Sequence, residues 1–221
     1  MLNIVPLNRV HPKLLRIIAL LFIALSMLTA YMLDNYHATL MMDRQDKTET
    51  LVDNAYSLIN YYYLKSAKDE LTTAQAQKYA LESIKQLSLD QDGYFWVMDT
   101  HPSMVMHPIQ PALDGLDLTD YVGPDGRKLF LEMVQIAKSQ ESGFIKYQWT
   151  KPKHDRQALY PKISFIRLFA PWNWIVGSGV YVDDVDAAFW NAVYVACGIS
   201  IAILMFILTL AITVTESLKK T

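Results

Sequence analysis

A cluster of side chains in the middle of this 221-residue chain has the types and spacing needed to hold a small anion. Over residues 143–151, strand alternation puts Ile145, Tyr147, Trp149 and Lys151 on one face, with Phe144, Lys146, Gln148 and Thr150 on the other. Over 162–168, Lys162 shares a face with Ser164 and Ile166. Trp96, in the middle of one further apolar run, and His107, at the end of another, complete the candidate set. Ammonium, phenol and indole N–H are all donors and none is an acceptor with a competing negative charge, so a lysine enclosed by aromatics suits a carboxylate. His107 adds a donor whose ordinary pKa lets it change charge near neutral pH. The competing reading is plain sheet packing: aromatic side chains are common in strands, their polar tips bond to backbone, and lysines at strand ends face water. Gly177 and Gly179, flanking Ser178, suit close backbone packing better than a nucleophile's turn.

Enzyme signatures do not accompany these residues. The chain contains no H-E-x-x-H, G-x-S-x-G, P-loop or kinase pattern, so it is read as a non-enzyme. His101 and His107 have no third suitable neighbour to make a metal site. Asp114, Asp117 and Asp120 lack the alternate spacing of a calcium loop and read as loop caps and solvating charges. No metal or cofactor is expected.

These candidates require a sheet to position them. In Gly93-Tyr94-Phe95-Trp96-Val97-Met98-Asp99, Tyr94, Trp96 and Met98 point one way and Phe95 and Val97 the other, which predicts a strand covered on both faces. Residues 103–107 read as its hairpin partner. Pro108, Pro111, Gly115, Gly123, Pro124 and Gly126 mark a long loop, the kind that often serves as a lid. A short helix at 128–138 follows, with Phe130, Met133, Val134 and Ala137 on one face. Strands at 143–151, 162–168 and 174–181 complete the sheet, separated by turns at Pro152-Lys153-His154-Asp155 and Ala170-Pro171-Trp172-Asn173. Upstream, Leu51, Val52, Ala55, Leu58, Ile59 and Tyr62 form one helical stripe beyond the wholly polar, solvated stretch 43–50. Thr72 and Gln75 form a capping box for a second helix with Ala76, Ala80, Ile84 and Leu87 on its apolar face. The expected class is α+β: a PAS-like five-stranded antiparallel sheet backed by long N-terminal helices.

Two apolar runs flank this domain. Residues 14–33 are broken only by Arg16, and residues 190–214 carry no charge. Each reaches the ~20 residues needed to cross a hydrocarbon core, so both are expected to be transmembrane helices. The first exceeds the ~7–15 apolar residues of a cleaved signal peptide and reads as an uncleaved anchor. Arg9, Lys13 and Arg16 at one end and Lys219 and Lys220 at the other place both termini in the cytoplasm. The expected organisation is a cytoplasmic N-terminus 1–13, a span 14–33, an outer domain 34–188 on the far side of the membrane, a span 189–214 and a cytoplasmic stub 215–221. The outer domain carries 15 basic and 21 acidic residues, a net −6, which excludes a basic footprint for nucleic acid. The only cysteine, Cys197, lies in the second run, so no internal disulfide braces the outer domain.

The ordered motifs G-Y-F-W-V-M-D at 93, M-H-P at 106, Y-Q-W-T-K-P at 147, P-K-I-S-F at 161 and W-N-W-I-V-G-S-G-V-Y at 172 resemble the single Cache domain, the extracytoplasmic sensor of bacterial methyl-accepting chemotaxis proteins and sensor histidine kinases. The resemblance covers the span between the two apolar runs. It implies a pocket for a small organic acid of the acetate, propionate, pyruvate or lactate class, with Trp96, His107, Tyr147, Trp149, Lys151 and Lys162 as ligand-binding residues. It also implies a homodimer that signals across the membrane. Seven residues after the second span are too few for a domain, so an output is expected from a cytoplasmic partner or a missing segment. A non-signalling membrane-anchored binding or assembly module is the alternative.

Overall fold

The computed structural model describes residues 12–87, 93–152 and 158–218; the orienting Arg9, Lys219 and Lys220, and Lys153-His154-Asp155 of the expected turn, lie outside them. The elements are α1 (Pro12–Ala67), α2 (Thr73–Gln86), β1 (Phe95–Asp99), β2 (Met104–Met106), a 3-10 turn (Pro111–Leu113), α3 (Leu129–Gln140), β3 (Ser142–Thr150), β4 (Leu159–Phe169), β5 (Trp174–Tyr181) and α4 (Asp183–Leu218). They divide into two units, Met1–Leu40 with Val185–Thr221, and Met41–Asp184.

The first unit is a pair of apolar helix segments. Leu20, Leu21, Met27 and Leu28 of α1, and Ile201, Met205 and Phe206 of α4, are exposed. Only a small core closes around Ile18 and Ala211, with Leu14, Leu15, Leu204 and Leu208 beside them. Apolar surface on this scale is costly in water and natural in lipid, and both helices are long and apolar enough to cross a membrane.

The second unit is built on an antiparallel sheet of strand order β2-β1-β5-β4-β3. The expected stripe of α1 is its backing: Val52, Ala55 and Ile59 are fully buried and pack with Ala80 and Ile84 of α2 against Phe95, Val97, Phe165 and Val176 of the sheet. Full burial of a side chain such as Ile59 contributes about 1.5–3 kcal/mol. The α2 capping box forms as the sequence predicts, with Gln75 N–H donating to Thr72 Oγ1 and Thr72 N–H donating to Gln75 Oε1. Arg167 of β4 pins α1, 2.6 Å from Asp53 and 4.1 Å from the centre of the Tyr56 ring.

Three local readings change in three dimensions. The polar stretch 43–50 is not wholly solvated, because Thr48 is buried and its hydroxyl donates to the Arg44 carbonyl at 2.6 Å. β4 starts at Leu159 and runs through Pro161, which stands opposite Gln148 of β3. The Pro161 carbonyl accepts from Val182 N–H on the β5 side, where the last strand pair is Lys162 with Tyr181; the missing proline donor therefore falls where no partner strand remains. The long loop after His107 is tied down, not free. Gly115 N–H donates to the Met104 carbonyl at 2.7 Å, Met104 N–H to the Leu116 carbonyl, and Leu118 is buried.

Candidate functional site

The face of the sheet turned away from α1 and α2 carries the second core, and a narrow cavity of about 10 Å³, the room of a single water, lies within it. Tyr94 just before β1, Trp96 of β1, Met104 of β2, His107, and Tyr147 and Trp149 of β3 form its walls, and Leu129, Phe130 and Met133 of α3 close it from above. α3 reaches this position because its buried face is the one the sequence marks, with Leu129, Phe130, Met133, Val134 and Ala137 all inside. That volume lies far below the ~300–1,000 Å³ of drug-sized sites, so in this structure the site is nearly filled by its own side chains.

Lys162 lies beside this cavity in the middle of a cross-strand row. It pairs directly with Tyr147 of β3 on one side and Tyr181 of β5 on the other. Its side chain is 1% exposed. The ammonium Nζ sits 3.8 Å from the centre of the Tyr94 ring and 5.0 Å from that of Tyr181, and it has no hydrogen-bond partner among the described residues. Ring faces attract a cation but do not replace the hydrogen bonds water would make. Burial accordingly pushes the Lys162 pKa down to about 7.

Two glycines of β5 make the approach possible. Gly177 stands opposite Trp96, and Gly179 opposite Ser164. A Cβ on Gly177 would collide with the Trp96 indole, and one on Gly179 would lie 2.9 Å from Lys162 Cε and 2.7 Å from the Ile163 carbonyl. Close packing is thus what these residues provide. Ser178 points to the other side, its hydroxyl donating to the Tyr94 carbonyl at 3.1 Å.

His107 is buried, and its Nδ1 accepts a hydrogen bond from Gln110 N–H at 2.9 Å. A nitrogen that accepts carries no proton, so the neutral ring bears its hydrogen on Nε2. Burial, and next the Lys162 charge, hold the His107 pKa down to about 3. The expectation that this histidine changes charge near neutral pH is therefore corrected: it is a fixed neutral donor. Asp114 supports it by accepting His107 N–H at 2.7 Å, a loop cap as expected. Burial also pushes the Tyr94 and Tyr147 phenols above the ordinary tyrosine range, so both stay protonated; Tyr147 Oη lies 2.9 Å from Ser164 Oγ.

Of the residues singled out by sequence, the structure brings together Trp96, His107, Tyr147, Trp149 and Lys162 and leaves Lys151 apart. Lys151 lies one residue past β3, and its ammonium is 3.0 and 3.1 Å from the two oxygens of Asp183. Residues that the sequence reading did not assign to the site are Tyr94, Tyr181, Met104 and the three from α3. Tyr94 was detectable, since it shares a strand face with Trp96; Tyr181 was not, because its place beside Lys162 depends on the β4–β5 register.

A family model described as Cache domain matches residues 25–194. The methyl-accepting chemotaxis protein McpP of Pseudomonas putida is 39% identical over 202 residues, 89% of this chain and 37% of that protein. The sensor histidine kinase MctS of Rhizobium johnstonii is 32% identical over 155 residues, 70% of this chain and 32% of that protein. The chain thus spans about a third of the length of these curated relatives. A solved periplasmic sensor domain of a chemotaxis protein matches with a TM-score of 0.62 at 43% identity, over 65% of this chain and 98% of that one. A Cache chemosensory domain solved for the structural basis of carboxylic acid recognition matches with a TM-score of 0.62 at 40% identity, over 66% of this chain and 99% of that one.

Proposed function

The chain belongs to the Cache domain family, and from that premise we propose that it is the sensing part of a chemoreceptor-type membrane protein whose cavity takes a small monocarboxylate. The observation that carries this reading is the Lys162 ammonium, buried at an aromatic cavity without a hydrogen-bond partner among the described residues. A ligand carboxylate would supply the missing acceptor, and a charge-assisted hydrogen bond of this kind contributes about 1.5–3 kcal/mol. His107 Nε2–H and the phenols of Tyr94 and Tyr147 offer neutral donors around it. With a single cation, the site balances one carboxylate and not two. The carboxylic acid recognition named for the 40%-identical Cache structure supports the same class.

Two apolar helices and the relatives' character as chemotaxis receptors and a sensor kinase support an inner-membrane protein with its Cache domain in the periplasm. In this reading the chain works as a homodimer and reports to a cytoplasmic output, as a binding protein with no chemistry of its own. Isothermal titration of the full chain in detergent with acetate, propionate, pyruvate and lactate tests the ligand class. At least one acid should bind and raise the unfolding temperature; a folded protein indifferent to all four refutes it.

A further inference from the structure

The groups that face Lys162 have a consequence for how a ligand enters. From the residue before β1 comes Tyr94, from the segment after β2 His107, from β3 Tyr147, from β5 Tyr181, and from its own strand Tyr160 and Ser164; α3 contributes only apolar side chains to the cavity. On the other side of Tyr181, the Lys151 ammonium, 5.4 Å from that ring, is paired with Asp183. No carboxylate among these groups faces Lys162, so a charge on Nζ in the empty site is buried without a counter-ion, which favours the neutral amine. An anion arriving beside Nζ reverses that balance.

We propose that carboxylate binding here is coupled to proton uptake, Lys162 taking a proton from solvent as the anion enters, so that acid and proton are sensed together. The amine lone pair accepts the proton, –NH2 becomes –NH3+, and the carboxylate balances the new charge, so the occupied cavity is neutral overall. The coupling rests on the carboxylate reading above and adds a property that reading does not require. The burial-lowered pKa of about 7 agrees with it. At pH 6 the empty site is already charged and binding takes up little. Above pH 7 each unit of pH weakens apparent affinity about tenfold, until the pKa of the occupied site is reached.

Titration of the full chain with acetate or propionate at pH 8.5, in phosphate and in Tris, reads the uptake from the dependence of the heat on buffer ionisation enthalpy. The expected result is close to one proton per ligand at pH 8.5 and close to none at pH 6. Binding at pH 8.5 without uptake overturns the coupling and leaves the carboxylate site standing; no binding of acetate, propionate, pyruvate or lactate at pH 6 overturns both. NMR of the unliganded protein with 13Cε-labelled lysine gives a decision without ligand. One lysine signal, absent from Lys162→Met, should titrate near neutral pH; a Lys162 that stays charged to pH 9 rejects the proposal.

Discussion

Replacing Lys162 by Met should stabilise the empty protein and abolish ligand binding, two effects of opposite sign from one side chain. The unfolded lysine titrates at 10.5 and the folded one at about 7, a difference of about 3.5 units at about 1.4 kcal/mol each. The folded pKa is the lower one, so the unfolded state binds more protons between these values and stability rises with pH across that window. The penalty is therefore fully present below pH 7, where it is about 5 kcal/mol, falls to about 2 kcal/mol at pH 9, and vanishes above 10.5. Methionine keeps most of the volume and removes the charge, so little is lost to a cavity. Urea unfolding of the full chain in detergent, followed by tryptophan fluorescence at pH 6 and pH 9, measures the difference. The variant should be several kcal/mol more stable than the parent at pH 6 and less than half as much so at pH 9. At 100 times Kd of ligand the parent should gain about 2.7 kcal/mol and the variant nothing. A variant no more stable than the parent at pH 6, or a gain that does not shrink with pH, would refute the argument that the ammonium is buried unpaired.

Gly179→Ala should weaken carboxylate affinity at least tenfold and cost about 1–3 kcal/mol of stability, because the added methyl meets Lys162 Cε and the Ile163 carbonyl; unchanged affinity by calorimetry would detach Gly179 from positioning the lysine. His107 is held neutral with its pKa depressed to about 3, so the unfolded state binds the extra proton first and stability is lost as pH falls from 6.5 toward 3, by about 1.4 kcal/mol per unit. In His107→Gln this part of the acid sensitivity should disappear, as read from urea midpoints at pH 6.5 and 5. Lys151→Met should leave affinity within about twofold, since its ammonium is engaged with Asp183 outside the cavity; a tenfold loss would return it to the site.

Much of this protein is legible one residue after another, because the signals are local. The Thr72–Gln75 capping box needs only its own turn to form, and it forms. The two apolar sides of 94–98 require cover on both faces of a strand, and the sheet supplies helices α1 and α2 on one and α3 on the other. The apolar face of α3 and the presence of two flanking helices long and apolar enough to cross a membrane follow from composition and periodicity in the same way.

The chemistry of the site is decided between strands. Lys151 and Lys162 look alike in sequence, each next to aromatics at the edge of a strand-like run. Register places one between Tyr147 and Tyr181 with its ammonium sealed from water, while the other extends past the end of β3 to the carboxylate of Asp183. His107 likewise has a neutral ring because the assembled fold buries it and sets Lys162 near it, while Gln110 N–H meets Nδ1 and fixes the tautomer. Alternation along one strand determines which face a side chain takes. What it meets there depends on the offset of the neighbouring strand, and the desolvation and charge that set a pKa come from those neighbours, so they exist only once the sheet is assembled.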